Sequence, residues 1–183
     1  MAGFHLSTEK RIALVAVILA TAAAVWFFYF RKDDATAVRA RIHAAVEFVE
    51  KQPAGSGRNL QGVGAAHALG DFFTEETDVS ISAESHGQTG ALSADTRAEL
   101  VSAYFLLRPM LASLSVSLSD IEVDFPDDSR GTASVKCSAT ATGTAKDSGA
   151  FRETRAVTAE LVRGDDGEWR FRSLRAEPDY GSD

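Results

Sequence analysis

The chain has 183 residues, 45% of them hydrophobic and 25% charged, with a formal net charge of −7. Lys10, Arg11, Arg31 and Lys32 precede Asp33 against the single acid Glu9, so everything from Asp33 onward carries about −10 and repels phosphate backbones. Nucleic acid is thereby excluded as a partner, and Cys137, as the only cysteine, excludes an intramolecular disulfide and a multi-thiolate metal site.

After an N-terminal tail of residues 1–11, the run Ile12–Phe30 contains no charged side chain. As a helix rising about 1.5 Å per residue it spans roughly 28 Å, close to the hydrocarbon core of a bilayer. Basic residues flank both ends, and Trp26 and Tyr29 lie where an aromatic belt meets the headgroups. Ala20-Thr21-Ala22 would suit signal-peptide cleavage, but the apolar run continues past it through Val25-Trp26-Phe27-Phe28, which favours an uncleaved anchor. The expected location is therefore the cell membrane, crossed once. Asp33 and Asp34 offset the bases at the far end and point to an extracytoplasmic or periplasmic domain. Ala16, Ala20 and Ala24 form a small-residue stripe on which another transmembrane helix can pack closely.

Residues 33–178 have the size of one domain, followed by a tail at 179–183. Asp33 or Asp34 can cap a helix whose apolar positions Val38, Ile42, Val46 and Val49 recur at helical spacing, ending at Gln52 before Pro53. A second, weaker helix is expected over Leu60, Val63, Ala66, Gly70 and Phe73. Val79–Ala83 alternates as a strand, and Gln88–Leu92 returns as its partner after His86-Gly87. Ser93 offers an N-cap for a third helix, with Leu100, Tyr104 and Leu107 on one stripe, which stops near Arg108 before Pro109.

The remainder reads as strands. Val116 and Leu118 share one phase and Ile121, Val123 and Phe125 the other, which predicts a bulge near Ser119-Asp120. Thr132–Gly143 places Ala133, Val135, Cys137, Ala139 and Ala141 on one face. A strand over Phe151–Arg163 meets the last, Glu168–Leu174, through Gly164-Asp165-Asp166-Gly167, with Val157, Ala159, Leu161, Trp169 and Phe171 facing inward.

The passage Thr96-Arg-Ala-Glu-Leu to Leu114-Ser-Val-Ser-Leu-Ser-Asp-Ile-Glu-Val123, and the ending Glu160-Leu-Val-Arg-Gly-Asp-Asp-Gly-Glu-Trp-Arg-Phe171, resemble the NTF2-like (SnoaL-like) superfamily. That likeness implies an α+β cone, three helices packed on a curved and mostly antiparallel sheet. An anchor followed by such a domain is similar in plan to VirB8-type secretion subunits and Mce-associated membrane proteins, where the domain is an assembly module. Other relatives, the ketosteroid isomerases and scytalone dehydratase-like enzymes, place Asp, His and Tyr inside the cone as base and oxyanion donors.

Among His43, His67, Asp71, Asp78, His86 and Tyr104 no pair is spaced so as to compel an acid/base assignment. His67, on the second helix, Tyr104, on the third, Cys137, in its strand, and Trp169 are the candidate pocket residues. An isolated helical histidine, a stripe tyrosine and a strand cysteine are more often packing residues than chemistry. The histidines have no metal-ligand spacing, and the acids at Asp124, Asp127, Asp128, Asp165 and Asp166 suit solvated turns, so no metal or other cofactor is expected. The sequence reading is a membrane-anchored, non-catalytic interaction module. Its partners would be the bilayer and other membrane proteins, or a second copy through the sheet face. The alternatives are a small-molecule-binding or isomerase-like protein using the cone, and a subunit of a secretion or transport apparatus.

Overall fold

The computed structural model describes residues 34–52, 60–85 and 88–179. The chain divides into two compact units, Met1–Thr36 and Ala37–Asp183, and nearly all the described residues belong to the second. The expected span at 12–30, including Ala16, Ala20 and Ala24, lies outside the described residues, among which no helix is long and apolar enough to cross a membrane.

Helix α1 (residues 34–51) buries Val38 and Ile42, four residues apart on one face. Helix α2 (Leu60–Gly70) ends at Gly70, where a Cβ would meet the Val101 side chain at 3.0 Å, so the glycine lets α2 lie close on α3. Phe73, expected on this helix, instead opens strand β1 (Phe73–Ser85). Its ring packs on Phe171 at 5.2 Å, and Phe171 N–H donates to the Phe72 carbonyl at 2.8 Å. Those contacts across the chain outweigh the local helical spacing.

Both strands of the first hairpin are longer than their alternating cores: β1 begins at Phe73, and β2 (Gln88–Thr96) runs through Ser93, which pairs with Ser80. Ser93 is therefore a strand residue, and the cap of α3 (Arg97–Leu107) is Thr96, whose Oγ1 accepts from Glu99 N–H at 3.3 Å. Glu99 returns the bond through its carboxylate, which accepts from Asp95 N–H at 2.9 Å, in the manner of a capping box. A 3-10 turn, Arg108–Met110, follows at Pro109.

Strands β3 (Leu111–Asp124), β4 (Thr132–Ala145), β5 (Gly149–Arg163) and β6 (Trp169–Pro178) form the antiparallel meander anticipated from their alternation. The bulge falls where expected: the β3–β4 register shifts between Ser119 and Glu122, and Asp120 takes φ 54°. The sheet order is β2-β1-β6-β5-β4-β3, with β1 pairing parallel to β6, a contact without a local sequence signal. The helices pack on the concave face of this curved sheet. Val38, Ala133, Leu161 and Trp169, each no more than 3% exposed, fill one end of the cone.

Candidate functional site

Beyond that packed end the cone is hollow. A cavity of about 330 Å³ lies between α1 and the sheet. Its roof is the α1 face of Ile42, Ala45, Val46 and Val49, and its walls include Ile81, Val116, Leu118, Val135, Cys137, Ala139, Val157 and Leu174. Strand parity explains the uniform lining. Val135, Cys137 and Ala139 alternate inward on β4, Val157 and Ala159 do so on β5, and Lys136, Ser138 and Thr158 take the outward positions between them. Small residues at 137, 139 and 159 leave the space that larger ones would fill.

Polar ties hold the roof at both ends. The Arg41 guanidinium lies 4.2 Å over the Phe72 ring and donates to the Asp71 carbonyl at 2.7 Å. Burial lowers its pKa, an effect that Glu168 opposes. At the other end, the Glu50 carboxylate accepts from Val116 N–H at 2.6 Å and Ser115 Oγ at 2.9 Å, which caps the outward amide of the edge strand β3. Arg108, only 4% exposed, donates to the carbonyls of Gln52 and Leu111 and so joins the end of α1 to the start of β3.

Of the four residues singled out from sequence, only Cys137 lines the cavity. Burial pushes its thiol up, so it stays protonated at neutral pH. Tyr104 packs against the core instead. Its hydroxyl is buried beside Arg108 but outside hydrogen-bonding geometry, and desolvation raises its pKa against the pull of that cation. Trp169 is 3% exposed in the packed end, stacked at a tilt on Phe125. His67 is exposed on the outside of α2, beside Val101 and Ser102, and borders a separate cleft of about 480 Å³ with Asp71, Glu75 and Arg97. The last two form an ion pair. The described residues contain no group of three or more metal-ligating side chains.

Sequence reasoning missed one pair. Arg155 stands opposite Ala139 and Glu153 opposite Ala141, on the same face of β5 as Val157, so both lie on the interior side, next to Ala139 at the edge of the cavity lining and outside it. The Arg155 side chain is only 15% exposed. It donates to the Ser82 carbonyl and to Glu153 Oε2, the latter at 2.7 Å. The period-two pattern already carried this placement, since Arg155 is two residues before the inward Val157.

The cone and its interior define the NTF2-like architecture, and the chain belongs to the SnoaL-like domain family, whose pattern matches residues 60–175. Three solved structures share the fold. A Novosphingobium aromaticivorans protein assigned as a scytalone dehydratase is 15% identical at TM-score 0.64, with 84% of this chain and 91% of that one covered. A protein from the same organism assigned as an aromatic ring hydroxylase is 18% identical at TM-score 0.62, covering 80% and 89%. A Streptomyces avermitilis protein assigned as a dehydratase of the NTF2-like family is 19% identical at TM-score 0.57, covering 82% and 99%. Among curated proteins, none matches the sequence. At these identities the likeness establishes the fold alone, and nothing in it supports the resemblance to VirB8-type or Mce-associated proteins.

Proposed function

We propose that this chain is a non-catalytic SnoaL-like module, anchored to a membrane through residues 12–30, that holds an apolar small molecule in its cone. One observation carries the reading: sixteen side chains line the cavity, and the only titratable one is the Cys137 thiol, which burial keeps neutral. Dehydration and isomerisation move protons, which requires an acid or base within hydrogen-bond reach of the bound molecule. The charged groups on the same face, Arg155 and Glu153, are paired with each other. An interior of this kind favours burial of apolar surface, worth about 25 cal/mol per Å², over turnover.

The anchor rests on the sequence: an uncharged run of bilayer length with basic and aromatic flanks. The dehydratase and hydroxylase names belong to relatives less than 20% identical and do not extend to this chain. The test is to purify the full chain in lipid nanodiscs, extract it with organic solvent and identify bound molecules by mass spectrometry, alongside Ala139→Phe. Enrichment of one apolar compound in the parent protein and its loss from the filled variant support the reading. Identical extracts from both sink it. Retention of the full chain in membranes after an alkaline carbonate wash tests the anchor separately.

A second reading, the accessory subunit, is favoured by a different observation. Leu106 is 68% exposed, and Leu107, Met110 and Val63 are exposed with it. Membrane proteins copurifying in fixed ratio after gentle detergent extraction, and lost in Leu106→Glu, would support that reading; recovery of the chain alone would remove it.

A further inference from the structure

We infer that the molecule held in the cone is a single-chain carboxylate amphiphile, its tail in the cavity and its head on Arg155 in place of Glu153. This inference rests on the apolar-ligand reading above. The cavity volume of about 330 Å³ lies at the low end of small-molecule pockets, roughly 300 to 1,000 Å³, which suits one hydrocarbon chain rather than two. Among the lining side chains only the Cys137 thiol is polar, and it is a weak hydrogen-bonding partner, so the head belongs beyond Ala139 at the edge of the lining, where the interior face carries Arg155.

Arg155 is suited to an exchange. The Ser82 carbonyl holds its guanidinium, while the Glu153 side chain paired with it is 51% exposed. A ligand carboxylate that takes the place of Glu153 leaves Arg155 with one carboxylate partner before and after, so no charge is stranded at a half-dry site. The released Glu153 turns to water at little cost, as expected for a surface ion pair. A neutral head has no such exchange available.

The test uses the full chain in phosphatidylcholine nanodiscs and two photoactivatable probes of equal length, a diazirine-bearing decanoic acid and the matching decanol. Crosslinked peptides are mapped by mass spectrometry. The acid should label the β4 and β5 peptides around Cys137 and Val157. Arg155→Gln should weaken that labelling roughly tenfold, as for loss of one charge-assisted hydrogen bond, while Glu153→Gln strengthens it by removing the competitor. The alcohol should respond to neither substitution. Acid labelling indifferent to both substitutions, or acid and alcohol changing in parallel, would overturn the headgroup assignment and leave the apolar cavity standing. If Arg155→Gln fails to fold, Glu153→Gln decides alone: stronger acid labelling supports the exchange and unchanged labelling ends it. Absence of β4 and β5 labelling by either probe overturns the apolar-ligand reading itself.

Discussion

Asp166 sits in the β5–β6 hairpin, where its carboxylate accepts from Arg170 at 3.0 and 2.5 Å and from Glu168 N–H at 3.1 Å. Those bonds, the Arg170 contact first, hold its pKa down from 3.8 to about 2. Because the folded value lies below the unfolded one, the hairpin's gain is present above pH 3.8 and is lost as pH falls toward 2. A carboxyl-carbon NMR titration should give a midpoint near 2 for Asp166. A midpoint in the ordinary aspartate range would mean that the Arg170 contact does not persist in solution. Cys137 shows the opposite sign. Its thiol, raised by burial, should react slowly with iodoacetamide at neutral pH and accelerate only in alkali beyond the range of a free thiol, and an apolar guest should slow it further. At Gly143 the constraint is space: a Cβ there would lie 2.3 Å from the Ser113 carbonyl oxygen and 2.8 Å from the Phe151 ring. Gly143→Ala should cost about 1–3 kcal/mol in denaturant unfolding.

The helix α3 cap illustrates how elements compete for residues. Ser93 and Thr96 are both chemically competent N-caps, and strand pairing decides between them, since β2 continues through Ser93 to Thr96. Thr96→Ala should therefore cost about 1 kcal/mol, as for a lost cap. Ser93→Ala should stay within about 0.5 kcal/mol, as for an exposed surface change. Equal costs for the two would contradict the observed cap. For α1, the decisive contact is Glu50 on the backbone of the β3 edge. Hydrogen exchange at the Val116 amide should quicken in Glu50→Ala while amides at the centre of β4 keep their protection.

For the whole molecule, the packed and hollow ends of the cone divide stability from binding. Leu161, fully buried between β4 and β6 in the packed end, should lose about 2–5 kcal/mol on truncation to alanine. In contrast, Ala139→Phe, at the hollow end, should leave the protein folded and raise its melting temperature by filling space, while excluding the guest. A destabilised Ala139→Phe protein would mean that the hollow end cannot accept added volume without strain.

By itself, the sequence determined what depends on neighbours along the chain. These features are the alternating strands, the bulge at Ser119-Asp120, the Gly164–Gly167 hairpin, the stop at Pro109 and the α1 stripe, whose signals are local periodicity and turn chemistry. The anchor proposed at 12–30 lies outside the described residues and rests on the sequence alone, an uncharged run of bilayer length. Only the tertiary structure decided the parallel β1–β6 pairing, the transfer of Phe73 from helix to strand and the cap at Thr96 rather than Ser93. It also separated His67, Tyr104 and Trp169 from the cavity and placed Arg155 against Ser82, 73 residues away in sequence. Each of these depends on partners distant in the chain, whose contacts outweigh the weak local preferences of the residues involved.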